Sequence, residues 1–268
     1  MPIFSRQNPL VKRYRQVRAG LDRQAIFLEG VRLIKEAIQS GIEMESVIIV
    51  RDLLTRPHLS QLISQLTEQG VRCEVTSWEI LQYLSDVETP PGILAIAHHR
   101  ARDLKEVLDQ IEGIPLLMVV EAWRDPGNMG TMMRSGEALG VSAVVATEQT
   151  VDPFSPKVIR ASMGSALRLP VVAHVNLRSA LVLIKNQGLQ LVAATVQGDH
   201  ALTAVDFTKP TALLIGNEAF GLSGDAQAQA TIRVKIPMRP PVESLNAAMA
   251  ATILVYEAAR QRGFEALG

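Results

Sequence analysis

The stretch PLLMVVEAWRDPGNMGTMMR, residues 115–134, decides the fold. It opens with an uninterrupted apolar run, Pro115 to Val120, and passes into a polar loop marked by Pro126, Gly127 and Gly130. A strand with one face in water alternates apolar and polar residues. An unbroken run is what burial of both faces requires, and that is the situation of a parallel sheet covered by helices. The loop leads into a helix to about Leu139, closed by Gly140, a residue suited to the left-handed turn beyond a helix. Strand, polar loop and helix in that order form the βα unit of an α/β protein.

The same unit recurs on both sides. Downstream, strands are predicted at Val141–Ala146, Val171–His174, Leu189–Thr195, Ala212–Ile215 and Ile232–Ile236. Helices are predicted over Pro156–Ser165, Leu177–Gln187 and 244–262. Upstream, a basic helix over 5–18 precedes strands at Phe27–Leu28, Val47–Val50, Val71–Val75 and Ile93–Ala97. Helices at Gly30–Ser40, Pro57–Gln69 and Trp78–Leu84 separate them, and another follows at Leu104–Ile111. The pattern predicts an α/β fold with a parallel sheet and helices on both faces. The polar stretch from His98 to Asp103 has linker composition and divides the chain into residues 1–100 and 101–268. Adjacent His98 and His99, without further ligands, read as solvated linker rather than metal site.

The chain has 268 residues, 47% of them hydrophobic, which is enough for a sizeable core. Its 27 basic and 27 acidic residues balance, so net charge does not announce a polyanionic partner and leaves that to local patches. One such patch is at the N-terminus, where Arg6, Lys12, Arg13, Arg15, Arg18 and Arg23 face only Asp22. A run of this kind can hold phosphates with little sequence information, or can be a solvated helix face. The single cysteine, Cys73, excludes an intrachain disulfide, fits a reducing compartment and reads as a strand residue. The basic N-terminus has no apolar core of a secretory signal, and no run approaches the ~20 residues of a membrane span, so the expected location is cytoplasmic.

Three polar loops follow strands: Asp125 to Gly130, Gly216 to Ser223, and Val242 to Asn246. Open parallel sheets bind ligands beyond the carboxyl ends of their strands, so the three suggest one composite site. The first loop lacks both the Gly-x-Gly-x-x-Gly dinucleotide fingerprint and the Gly-Lys-Ser/Thr ending of a P-loop. This argues against a nicotinamide-dependent dehydrogenase. By themselves Asn128 and Ser244 can be helix caps, Arg134 a surface charge and Glu218 a solvated turn residue.

In this order the loops resemble the three sequence motifs of the SpoU (TrmH-like) family of RNA ribose 2′-O-methyltransferases, within the SPOUT superfamily. The first motif is DPGNMGTMMR (125–134), the second LIGNEAFGL (214–222), and the third Ile236-Pro237-Met238 with Ser244-Leu245-Asn246 and its Ala-rich helix. Residues 156–164 are similar to a family segment between the first two motifs. The N-terminal unit resembles a substrate-binding domain of the family through Asn8 to Lys12 and Glu29 to Ile34. The resemblance implies a C-terminal SPOUT α/β domain with a parallel sheet and a deep trefoil knot, preceded by a small α/β RNA-binding domain. It implies S-adenosyl-L-methionine as cofactor, an RNA partner and a homodimer. Carried over by position, Thr195, Gly216, Asn217, Ile236, Met238 and Leu245 would hold the cofactor. Arg134 would be the catalytic residue, with Asn128, Glu218, Ser244 and Asn246 positioning it, the substrate or the cofactor. Arg6, Lys12, Arg13 and Arg15 would contact RNA. Large-subunit (23S) ribosomal RNA is favoured over tRNA, and a non-catalytic RNA-binding or ribosome-assembly factor is the alternative from another class. Arginine stays protonated, which makes Arg134 an awkward literal base and a natural ligand for the neighbouring phosphate. Two segments depart from the family pattern, Glu121-Ala122-Trp123-Arg124 and Ala247-Ala248-Met249. A local packing or substrate difference is expected at the first.

Overall fold

A computed structural model describes residues 3–264. The chain divides into two compact units, residues 1–101 with 154–160, and residues 102–153 with 161–268.

The first unit holds a four-stranded sheet of β1 (Ala25–Glu29), β2 (Met44–Val50), β3 (Arg72–Thr76) and β4 (Ile93–His98), in the order β1-β4-β2-β3. β2 and β3 are parallel, but β4 runs antiparallel to both β1 and β2. The sheet is therefore mixed, where an all-parallel alternation was expected. An apolar run records burial on both faces and carries no strand direction. Helices α1 (Pro9–Arg18), α2 (Val31–Gln39), α3 (Pro57–Glu68) and α4 (Trp78–Leu84) belong to this unit. α1 starts where Asn8 accepts the Leu10 N–H at 2.8 Å and Pro9 supplies the fixed φ of a first helical residue. Its Tyr14 is fully buried, with the hydroxyl donating to the Ser46 carbonyl at 3.0 Å.

The second unit is built on seven strands: β5 (Leu116–Val120), β6 (Ala143–Thr147), β7 (Val171–Val175), β8 (Gln190–Ala194), β9 (His200–Ala201), β10 (Thr211–Ile215) and β11 (Ile232–Lys235). Their order is β7-β6-β5-β10-β8-β11-β9, and every pairing is parallel. β5, β6 and β10 are buried at every residue, in keeping with runs that are apolar except at Thr147 and Thr211. Because the strands are parallel, the segments leaving β5, β8, β10 and β11 emerge at one edge.

The helices here are α5 (Leu104–Gln110), α6 (Pro126–Ala138), α7 (Pro156–Ala161, most of which groups with the first unit), α8 (Ser165–Arg168), α9 (Leu177–Asn186), α10 (Gly224–Gln229) and α11 (Ala247–Gln261). α6 lies close on the sheet through Gly136, where a Cβ would stand 3.3 Å from both Met118 Sδ and Val141 Cγ2. It also pairs with α11 through Ser135 Oγ and Thr252 Oγ1, 2.8 Å apart. The helix expected over 156–165 is broken, because Met163 (φ 53°) and Gly164 (φ 90°) both enter the left-handed region. The final helix begins at Ala247 rather than Ser244. β9 and α10 were not anticipated; β9 has two residues, too few to leave a periodic signal.

Candidate active site

The loop after β10 folds back on itself at once. A Cβ on Gly216 would stand 2.1 Å from the backbone of Gly221 and Leu222, so only glycine permits the reversal. Asn217 N donates to Gly221 O at 3.0 Å, and Gly221 N returns a bond to Asn217 O at 2.8 Å. Inside the turn, Asn217 Oδ1 accepts from the N–H groups of Ala219 (2.9 Å) and Phe220 (3.2 Å). Its Nδ2 donates to the Ala122 carbonyl at 2.6 Å. Both ends of the Asn217 side chain thus hold the loop in shape.

The atypical segment Glu121–Arg124 is the other half of this brace. Glu121 Oε2 accepts from Ser223 N at 2.9 Å. Ala122 sits at φ 56°, an unfavourable region for alanine, tethered by its N–H to Thr147 Oγ1 at 3.2 Å. Trp123 is completely buried, and its indole N–H donates to the Gly216 carbonyl at 2.8 Å. The sequence marked this segment as unusual but gave no sign of what the tryptophan would touch.

One chain of side-chain amides joins all three motif loops. Asn246 caps α11, its Oδ1 accepting from Ala248 N (2.9 Å) and Met249 N (3.2 Å). Its Nδ2 donates to Asn128 Oδ1 at 2.9 Å. Asn128 Nδ2 donates in turn to Glu218 Oε1 at 3.3 Å. The polarity of the chain is dictated by its ends. Helix N–H groups can only donate and an ionised carboxylate can only accept, so each amide has one orientation that satisfies both neighbours. Asn128 is not the cap of α6; Asp125 is, accepting from Asn128 N at 2.6 Å. Gly130 serves packing, because a Cβ there would meet Ala161 Cβ at 2.4 Å and Ser162 N at 2.7 Å.

Beside this chain lies a cavity of about 540 Å³. Its wall includes all six residues expected to hold a cofactor: Thr195, Gly216, Asn217, Ile236, Met238 and Leu245. Glu218 and Ser244 also line it, whereas Asn128, Arg134 and Asn246 do not. Ser244 caps no helix. Arg134 is exposed on α6 and has no hydrogen bond or ion pair among the described residues. The loop after β8 was missed beyond Thr195. Val196 and Gln197 also line the cavity, and a Cβ on Gly198 would stand 2.2 Å from the Val234 carbonyl carbon.

In the first unit the four expected RNA contacts separate. Arg13 donates to Glu45 through Nε (2.9 Å) and Nη2 (2.6 Å) and to Asp22 through Nη1 (2.6 Å). The pairing raises the Arg13 pKa, chiefly through Glu45, and holds the Asp22 carboxyl below its usual range. Arg13 is therefore neutralised within the fold. Arg6 and Arg15 converge on Tyr83, their guanidinium carbons 4.6 Å and 5.2 Å from its ring centre, and Lys12 is exposed. Arg18 donates to the Leu84 and Ser85 carbonyls at 3.0 Å and 2.7 Å, closing the end of α4. Cys73 is partly buried on β3, and that burial pushes its thiol pKa up. Among the described residues no three His, Cys, Asp or Glu side chains converge as metal ligands would, and no helix is long and apolar enough to cross a membrane.

Residues 115–256 match the SpoU rRNA methylase family, and residues 8–95 match the MRM3-like substrate binding domain. A protein of Synechocystis sp. named as an uncharacterized tRNA/rRNA methyltransferase is 35% identical, over 97% of this chain and 94% of its own length. The 23S rRNA (guanosine(2553)-2′-O)-methyltransferase RlmP of Bacillus subtilis is 31% identical, over 95% of this chain and 97% of its own. The structure of an AdoMet-bound rRNA methyltransferase from Sinorhizobium meliloti superposes with a TM-score of 0.87 at 26% identity, covering 97% of each chain. A parallel α/β unit with its site at the strand ends, joined to a matched substrate-binding unit, defines a class of two-part methyltransferases. The chain belongs to the SpoU rRNA methylase family.

Proposed function

We propose that this chain is an S-adenosylmethionine-dependent enzyme that methylates a ribose 2′-hydroxyl of large-subunit ribosomal RNA. The observation that carries the reading is the amide chain Asn246–Asn128–Glu218, which ties the three motif loops together beside the cavity. The residues present fit the cofactor. The cavity volume falls in the small-molecule range, and its wall divides into apolar Ile236, Met238 and Leu245 and polar Thr195, Gln197 and Gln227. A nucleoside joined to an amino acid needs that division: an apolar slot for the base, and hydrogen-bonding groups for the rest. Thr195, Gly216, Ile236, Met238 and Leu245 would hold it, with Asn217 contributing backbone, since its side chain is engaged by the loop. When bound, the cofactor supplies a methyl group carried on positively charged sulfur.

The chain's own residues must then orient the ribose hydroxyl and give its proton a destination. Arg134 is free of partners among the described residues, and a guanidinium is suited to clamp the phosphate beside the target ribose. Glu218, held by Asn128, and Ser244 on the cavity wall offer an acceptor and a hydroxyl to the same region. In the first unit Lys12, Arg15 and Arg6, whose single ion pair with Glu79 is solvent-exposed, are the residues we assign to RNA phosphates; Arg13 leaves that set because Glu45 and Asp22 hold it from two sides.

A homodimer and the family's deep trefoil knot belong to the same reading. Support for the dimer comes from α11, which buries Ala251, Leu254, Val255 and Ala258 yet leaves Met249, Ile253 and Tyr256 exposed in a stripe at helical spacing. A helix apolar on both faces calls for a second covering surface. A cytoplasmic location fits a ribosomal RNA substrate. The test is transfer of labelled methyl groups from S-adenosylmethionine to unmethylated large-subunit rRNA transcript, with the product mapped for 2′-O-methylation. Failure of the folded protein to bind S-adenosylmethionine by calorimetry would refute the enzyme reading and favour an assembly factor.

A further inference from the structure

Phe220 is the most exposed large apolar side chain among the described residues, at 91%, and it stands in the loop that walls the cofactor cavity. We infer that its ring is a stacking platform for an unpaired base of the RNA, next to the methylated ribose. The inference rests on the RNA methyltransferase reading and adds the contact through which a base is held.

The loop holds the backbone that carries the ring. The Phe220 N–H is pinned to Asn217 Oδ1 at 3.2 Å, and paired backbone bonds between Asn217 and Gly221 close the turn on either side. Asn217 is anchored to the Ala122 carbonyl, and the carbonyl of Gly216 to buried Trp123. With the backbone held, only the ring's two side-chain torsions remain to be ordered when a partner arrives.

The ring's exposure decides what that partner is. Phe220 lines the cofactor cavity at its edge together with Ile236, Met238 and Leu245, but at 91% exposure its ring presents most of its surface to solvent, where it meets something arriving from outside. Within the loop its neighbours are Glu218, Ala219 and Gly221, which supply no second large apolar side chain. A protein partner would need a broader apolar centre. A nucleobase needs one ring face, and RNA recognition commonly rests on splayed bases stacked on aromatic side chains. Glu218, two residues away, is bonded to Asn128 in the amide chain, so a base on Phe220 would be held beside the catalytic loops.

The test compares full-length wild type with Phe220→Ala and Phe220→Trp, using unmethylated large-subunit rRNA transcript. Loss of one base–aromatic stack should raise the KM for RNA about 5- to 140-fold in Phe220→Ala. The calorimetric Kd for S-adenosylmethionine and the oligomeric mass should stay at wild-type values. Phe220→Trp should keep the RNA KM, and its added indole emission should be quenched by RNA, a readout that does not need turnover. Three results would overturn the inference: an unchanged RNA KM in Phe220→Ala, a cofactor Kd rising in step with it, or a change of oligomeric mass. Unquenched Phe220→Trp emission on RNA binding would do so as well. Wild-type protein that binds RNA but transfers no methyl group would overturn the enzyme reading instead, leaving the quenching to judge the stack.

Discussion

Asn246 performs two tasks that substitution can separate. Its Oδ1 caps α11, and its Nδ2 drives the amide chain to Asn128 and Glu218. Asn246→Ala removes both. Losing the cap costs about 0.5–2 kcal/mol, which for a protein of this size lowers Tm by roughly 1–4 °C. Asn246→Asp keeps the cap, since aspartate caps as well as asparagine and its charge suits a helix N-terminus. Tm should then stay within about 2 °C of wild type. The amide chain, however, breaks. The new carboxylate can only accept, and it faces Asn128 Oδ1. Asn128 can turn its amide over to donate to that carboxylate, but its oxygen then opposes the Glu218 carboxylate. Either way one hydrogen bond of the chain is lost and an amide oxygen is left facing a carboxylate, about 1.5 kcal/mol at a solvent-exposed site, or close to tenfold in kcat/KM. Glu218→Gln supplies a donor in the reversed arrangement, so the double variant Asn246→Asp/Glu218→Gln should be no less active than Glu218→Gln alone. The assays are thermal melts and single-turnover methyl transfer to rRNA transcript. Wild-type activity in Asn246→Asp, or additive losses in the double variant, would show that the amide chain plays no part in the reaction.

Gly216→Ala forces a Cβ to 2.1 Å from backbone that no side-chain rotation can clear. It should lower stability by about 1–3 kcal/mol and cofactor affinity at least tenfold by calorimetry, whereas Gly224→Ala, with open space around it, should melt at or slightly above wild type. Arg134→Ala should abolish methyl transfer while cofactor affinity by calorimetry stays nearly intact, because Arg134 does not line the cavity; retained turnover would contradict its assigned role. Ile253→Glu in the exposed stripe of α11 should yield monomers where wild type sediments at twice the chain mass. Arg168 hydrogen-bonds Glu137 and holds its carboxyl below the ordinary value of 4.5, so the ionised form stabilises the fold above that pH and the contribution fades as pH falls through the lowered value. Glu137→Gln should therefore melt lower than wild type at neutral pH, with a gap that narrows in acid.

Much of the fold could be read from residue types because burial leaves a direct record in them. β5 is apolar at every position and β10 at every position after Thr211, since both faces are covered, and Gly140 marks the end of the α6 segment. What sequence does not carry is direction and partnership. β4 reads the same whichever way it runs. Ser244 reads as the cap of the last helix, yet Asn246 holds that position and also reaches Asn128. The N-terminal basic run looked uniform, yet Glu45, 32 residues from Arg13 along the chain, removes Arg13 from it.

The motif residues also divide in a way their spelling hides. Gly130 is required by Ala161 and Ser162, Gly216 by Gly221 and Leu222, and the Asn217 side chain by its own turn and Ala122. These positions look like ligand contacts in a motif, yet packing and loop closure account for them. Asn128 and Asn246 occupy a middle ground, since each meets a structural need while aiming a polar group at the next motif loop. Arg134 has no such need to meet. It is exposed, bonds to nothing among the described residues, and could be a shorter polar residue without altering α6. A long cation with no task in the fold, on the helix that Asn128 joins to Glu218, is what the proposed role of Arg134 toward a ligand calls for. On that ground we propose the chemistry for Arg134 and the support for the residues around it.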